Sequence, residues 1–164
     1  DEMGIFNKYQ EAAGGTGSPT AFSRERVNAA LTRLEVNFGV DDDGDAMAWF
    51  GDRQFVRFVS MGESLEVFQV RNIWLPTVPS SFRSELIDRC NTWNSDRIWP
   101  KTFVRSDEDG MLVVMAEVNV DFECGVSDAL IEQTIRCAIS TGGAFFDELE
   151  EAYPQYPEWL PPAT

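Results

Sequence analysis

The apolar residues of this chain follow two alternating rhythms. After Ser23, Val27, Ala30, Leu31, Leu34 and Phe38 recur at helical spacing, which predicts a first helix with Ser23 as its N-cap. The rhythm then shortens. Residues 46–50, 54–60 and 64–74 are rich in Val, Phe and Trp, as pleated surfaces prefer, and predict three strands. Gly51-Asp52 fits a tight hairpin turn between the first two, and Met61-Gly62-Glu63 a longer one. Helical spacing returns at Phe82, Leu86, Cys90 and Trp93. This predicts a second helix over residues 81–93, with Pro79 at its start and Ser80 or Ser81 as its cap.

Residues 102–106 and 111–122 predict a hairpin across Asp107-Glu-Asp-Gly110. In the second strand Leu112, Val114, Ala116, Val118, Val120 and Phe122 share one face. The other face begins apolar at Met111, Val113 and Met115, then turns polar at Glu117, Asn119 and Asp121. Such a strand is covered on one side throughout and half covered on the other. Ser127 is the N-cap of the last helix, with Val126 placed to staple onto Ile131. Its buried stripe runs through Ile131, Ile135, Ala138, Gly142, Phe145 and Leu149. Gly142-Gly143 in mid-helix costs roughly 1 kcal/mol per residue against alanine, so the pair marks either close packing on a neighbour or a kink.

The element order is therefore αβββαββα, an α+β fold with a five-stranded antiparallel sheet and helices packed against it. Residues 1–21 read as an N-terminal arm and Gly/Ser-rich flexible linker, 22–153 as the folded domain, and 154–164 as a Pro-rich tail. At 164 residues the chain buries roughly 70% of its unfolded surface, enough for a self-sufficient core. No apolar run approaches the ~20 residues that span a bilayer, and the amino terminus lacks the basic and apolar regions of a secretory leader. A soluble cytoplasmic protein is expected.

The formal charge of −15, from 28 acids against 13 bases, opposes nucleic acid and anionic membranes as partners and attracts basic protein segments. The chain has no histidine, which removes any Ser-His-Asp arrangement. Asp41-Asp-Asp-Gly-Asp45 resembles a calcium loop only superficially. Its glycine and final acid fall at the wrong positions, and a solvated helix-to-strand turn is the expectation. Glu117, Asp121 and Glu123 could converge on one sheet face, yet no basic side chain or glycine loop accompanies them in sequence. Thr141-Gly-Gly-Ala144 lies within a helix and so cannot cradle phosphate as a loop before one would. Cys90, Cys124 and Cys137 match no zinc or redox spacing and read as buried reduced thiols. No cofactor, metal or catalytic residue is expected. Arg71 and Arg97, isolated among apolar neighbours, read either as internal ion pairs or stems over aromatic rings, or as anchors for a partner's carboxylate. In the tail, Tyr153, Tyr156, Trp159 and Leu160 interleave with prolines; either they fold back on the domain, or the tail is disordered, or it serves as a recognition segment.

One stretch stands apart: Cys90-Asn91-x-Trp93-Asn94-x4-Trp99-Pro100-Lys101. It closes the second helix, turns on a polar run and starts a strand, so it is a fold signature rather than a reaction centre. This stretch resembles the signature of the YbjN family, described as bacterial sensory transduction regulators. Phe38-x-Val-Asp-x-Asp-Gly-Asp45, Val70-x5-Pro76, Ala116-Glu-Val-x-Val120 and Phe145-Phe146-x-x-Leu149 extend the resemblance over roughly residues 22–153. The resemblance implies a fold similar to class I type III secretion chaperones, which are small, acidic and usually dimeric. It supplies no catalytic residues.

These readings converge on a non-enzymatic protein-binding module, chaperone-like or regulatory, acting as a homodimer on an unidentified protein or peptide client. Trp49, Phe58, Trp74 and Met115 are the candidate surface residues, each with packing in the core as its other and favoured reading. The alternative is a small-ligand or metal-dependent enzyme built on a carboxylate cluster.

Overall fold

In the computed structural model, described over residues 19–161, a single antiparallel sheet carries helices on one face. Residues 1–18 of the arm and linker expected over 1–21, and residues 162–164 of the tail, lie outside the described residues. The elements are α1 (Arg24–Arg33), β1 (Gly39–Val40), β2 (Ala46–Phe50), β3 (Gln54–Met61), β4 (Val67–Trp74), α2 (Arg83–Asp96), β5 (Lys101–Ser106), β6 (Leu112–Asp121) and α3 (Asp128–Ala152). Short 3₁₀ turns at Ser80–Phe82 and Tyr156–Trp159 precede α2 and follow α3.

The strands run β1-β2-β3-β4-β6-β5, every neighbour antiparallel. The sheet thus has six strands, not five. The additional strand is only two residues long, pairing Gly39 with Met47 and Val40 with Ala46. Two residues show no periodicity, so the pattern gave no sign of it. Its presence makes Asp41–Asp45 the turn of a strand hairpin, closed by Asp41 N–H donating to the Asp45 carbonyl at 3.0 Å, rather than a helix-to-strand turn.

Helix α1 starts as expected, with Ser23 Oγ accepting from Arg26 N–H. It stops earlier than the apolar spacing implies. Val36 N–H donates to the Leu31 carbonyl and Glu35 N–H to that of Thr32, while Glu35 itself sits at φ 57°. This is a Schellman stop whose left-handed position holds glutamate instead of the usual glycine. Leu34 and Phe38 still pack on the core beside Val36, which is why the spacing of the two reads as helical. At α2 neither Ser80 nor Ser81 caps; a 3₁₀ turn leads in, and the helix continues to Asp96. Strand β4 begins at Val67 rather than residue 64, because Gly62 and Leu65 both take positive φ.

The core face alternates cleanly. Val56 and Phe58 of β3, Phe68 and Val70 of β4 and Val118 of β6 meet α1 and the first half of α3. Trp74, Leu112, Val114 and Ala116 meet α2 and the second half of α3. Phe58 and Trp74, expected as surface candidates, are therefore buried. Strands β3 and β4 carry large apolar residues on both faces, so alternation alone could not say which set points inward. Between the two clusters lies a polar junction. Fully buried Asn72 donates from Nδ2 to the carbonyls of Ala116 and Ala138, and its Oδ1 accepts from Gln54 Nε2 at 2.7 Å. Gly142 is the reason the helix can approach: a Cβ there would stand 2.7 Å from Asn72 Cγ. Of the two readings of the glycine pair, close packing holds at Gly142.

Gly142→Ala is expected to destabilise by about 1–3 kcal/mol through overpacking, despite alanine's helix preference. Gly143→Ala, whose Cβ would meet Gln54 Oε1 at 3.4 Å and the end of the Arg53 side chain at 4.0 Å, should be neutral or stabilising by up to about 1 kcal/mol. Chemical denaturation of both variants separates them; equal effects would refute the packing account. Glu35→Gly should raise stability by about 1 kcal/mol, by relieving the left-handed backbone at the α1 stop, and an unchanged denaturation midpoint would count against it.

Candidate interaction surface

Apart from Thr134 and Gly142, every buried helix residue belongs to one of the two core clusters. Among the described residues, no helix packs on the other side. Register places two rows of side chains across that open face. Trp49 pairs with Phe55, Phe55 with Ile73, Ile73 with Met115 and Met115 with Phe103. This is a continuous apolar row crossing five strands. One pairing step along lies a second row: Met47, Arg57, Arg71, Glu117 and Lys101.

The apolar row is graded in exposure. Trp49 is 57% exposed at one end, its ring 4.5 Å from that of Phe55. Met115, in the interior of the row, is only 8% exposed, screened by its neighbours. Two of the four expected surface residues thus share one row, though only Trp49 stands free. Phe55, Ile73 and Phe103 complete it and escaped the sequence reading. Period-two parity relative to Trp49 and Met115 was the signal that could have found them.

The cations of the charged row are each held in an ion pair. Glu117 is 2% exposed, yet Arg71 Nε donates to its Oε1 at 2.5 Å and Lys101 Nζ approaches its Oε2 at 2.8 Å. Burial pushes the Glu117 carboxyl up, but hydrogen bonds and charge from Lys101 and Arg71 outweigh it and hold the group below the usual carboxylate range. Arg57 is tied to Asp41 at 2.5 Å. Asp121 is exposed and accepts from Glu123 N–H at 2.8 Å. Glu117 therefore serves its cations rather than a carboxylate cluster.

The acidic turn is likewise occupied from within. Asp41 Oδ1 accepts from the N–H groups of Asp43 and Asp45, and the buried Asp45 takes Arg24 and Ser60 N–H. The backbone bond from Asp45 leads the causes that lower the Asp41 carboxyl. Among the described residues, no three His, Cys, Asp or Glu side chains gather closely enough to hold a metal ion. The three cysteines are free, but only Cys90 is buried; Cys124 is exposed and Cys137 half-buried, contrary to the expectation for all three. Burial pushes the Cys90 thiol up.

The signature stretch shows its structural purpose. Cys90 and Trp93 face the core, with the Trp93 ring 5.1 Å from that of Phe145. Asn94 bridges the end of α2 to the start of β5: its Oδ1 accepts from Thr102 N–H at 2.9 Å and its Nδ2 donates to the Thr102 carbonyl at 3.0 Å. Asn91 is exposed. The Trp99-Pro100 peptide is cis. Pro100 is buried, while Ile98 (83% exposed) and Trp99 stand out beside the free edge of β5. Arg71 has the internal ion pair expected of it, and Arg97 lies over the Trp93 ring, 3.7 Å from Glu148. In the tail, Tyr153, Tyr156 and Trp159 fold back onto the second cluster.

An α+β architecture with a one-sided antiparallel sheet and a helix-to-strand clip at Asn94 defines a small domain of recognisable type. Residues 23–151 match the family model YbjN, described as "Putative bacterial sensory transduction regulator"; the chain belongs to the YbjN family. The crystal structure of YbjN from E. coli, termed "a putative transcription regulator", is similar with a TM-score of 0.72 at 13% identity, covering 84% of this chain and 96% of that one. The HopA1–SchA chaperone–effector complex gives a TM-score of 0.46 at 11% identity, over 74% and 91%. The Yersinia pestis type III secretion chaperone SycH, solved with a fragment of YscM2, gives 0.44 at 10%, over 74% and 98%. No curated protein matches the chain. None of the helices described is long and apolar enough to cross a membrane.

The Glu117 pairing carries a pH signature. Its folded carboxyl titrates below its unfolded value, so its contribution to stability is complete above the ordinary carboxylate range and is lost as the pH falls through the folded value. Glu117→Gln should cost about 1–3 kcal/mol near neutrality, and the gap from wild type should close in acid. Urea melts of both proteins across that range check it; a gap independent of pH would refute the ion-pair account.

Proposed function

We propose that this chain is a non-enzymatic protein-binding module, chaperone-like or regulatory, that engages a partner through the open sheet face and works as a homodimer. The observation that carries the reading is the apolar row Trp49-Phe55-Ile73-Met115-Phe103, which crosses five strands without cover among the described residues. Contiguous apolar surface on a small domain is a mark of interaction, and the rigid antiparallel ladder beneath it reduces the ordering cost on binding. The buried carboxylates Glu117 and Asp45 are each consumed by internal ion pairs, which leaves them no acid–base task. The dimer contact fits best along the free edge of β5, where Ile98 and Trp99 project beside unpaired strand backbone. The cytoplasm, with its reduced thiols, suits the free cysteines.

Site-specific photo-crosslinking tests the client face. A photoreactive phenylalanine analogue at position 49 should yield discrete protein adducts in host cells, while the same group at the exposed turn residue Glu108 should not. Equal or absent adducts at both positions would count against this surface. Light scattering should give twice the chain mass for the wild type, and a single-chain mass for the double variant Ile98→Ser/Trp99→Ser. A monomeric wild type would remove the homodimer from the reading.

A further inference from the structure

On the helical side, opposite the sheet face, a cavity of about 290 Å³ opens between α2 and α3, lined in part by Asp88, Trp93, Asp96, Arg97, Phe145 and Leu149. Its floor is aromatic and aliphatic, and its rim is charged. The charges are unequally committed. Glu85 at the rim is paired with Arg89, which also donates to the Tyr153 hydroxyl; Glu148 has Arg97. Asp88 and Asp96 have no cationic partner among the described residues. Trp93, 6% exposed, contributes its ring to the lining, and its indole Nε1 is buried without an acceptor. A buried donor left unpaired is costly, so an acceptor delivered by a ligand would recover free energy there. Arg97 is the movable cover: it lies over the Trp93 ring at 5.2 Å and is held only by the long pair with Glu148.

We propose that this groove is a second binding site, one that takes an extended peptide segment with an apolar residue between two basic ones, in the pattern basic–x–apolar–x–basic. It takes from the preceding reading only that the ligand is a protein segment, and it uses none of the sheet-face residues. The spacing comes from geometry. Asp88 and Asp96 are eight residues apart on α2, about 12 Å at helical rise. In an extended segment, residues i and i+4 lie about 13 Å apart and share a face with i+2. The two basic side chains then meet Asp88 and Asp96 while the central apolar side chain enters over Phe145 and Leu149. With Arg97 displaced, a carbonyl of the segment accepts from Trp93 Nε1–H. The acidic charge of the whole chain adds long-range attraction for such a segment.

The test uses the full chain labelled with ¹⁵N and the probe peptide acetyl-Lys-Ser-Leu-Ser-Lys-amide, followed through the indole N–H resonances. Trp93→Phe and Trp49→Phe identify the two reporters. The Trp93 resonance should shift and saturate, and acetyl-Glu-Ser-Leu-Ser-Glu-amide should leave it in place. The double variant Asp88→Asn/Asp96→Asn, altered only at exposed positions, should need roughly threefold to tenfold more peptide, as two exposed ion pairs allow. A static Trp93 resonance, or equal shifts with the acidic peptide, overturns the proposal. A shift of Trp49 alone also overturns it, and at the same time supports the sheet face. A saturating Trp93 shift, with no crosslinks at position 49, leaves the groove standing and the sheet-face reading fallen.

Discussion

The amide of Asn72 is the contact on which the rest of this fold depends. It sits at the centre of strand β4 with no solvent exposure, and its two ends are consumed by β6, α3 and Gln54 of β3. A buried amide is tolerable only when its hydrogen bonds are made. Making them fixes how far α3 stands from the sheet, and at which turn of the helix. Gly142 supplies the clearance, and the apolar clusters on either side then fall into register. An all-apolar core at this point would allow the helix to slide; the amide permits one position.

Because α3 is anchored there and α1 and α2 pack beside it, every helix is committed to one side of the sheet. The other side is left to its own side chains. Cross-strand pairing gathers them into an ion-paired charged row and an apolar row. The surface assigned to a partner is therefore a by-product of how the core is closed. The groove between α2 and α3 arises differently: the Asn94 clip holds the end of α2 against β5, while α3 follows the sheet, and the two helices part over Trp93.

Much of this was legible in the residues. Ser23 and Ser127 announced their helices, the alternation in β6 announced a half-covered strand, and the aromatic tail residues had folding back as one of their readings. What escaped had physical causes. A two-residue strand has no period. Glu35 hid a helix stop because left-handed positions are sought through glycine. Phe58 and Trp74 lie in strands apolar on both faces, where the inward set is decided by pairing with distant strands rather than by local pattern. Ile98 and Trp99 are exposed although apolar side chains beside a strand are ordinarily sought in the core. The groove was invisible for the same reason as the apolar row: its residues come together only in three dimensions.

Helix α3 has 25 residues, a rod of roughly 38 Å at helical rise, and it lies across both apolar clusters. Neither cluster can open alone unless the rod breaks at its middle, which is where Asn72 grips it. The two halves of the domain are thus denied independent local melting. The hydrogen-bonded amides within each half of the rod, away from its fraying ends, are expected to exchange with solvent chiefly when the whole molecule comes apart, as one cooperative unit rather than two.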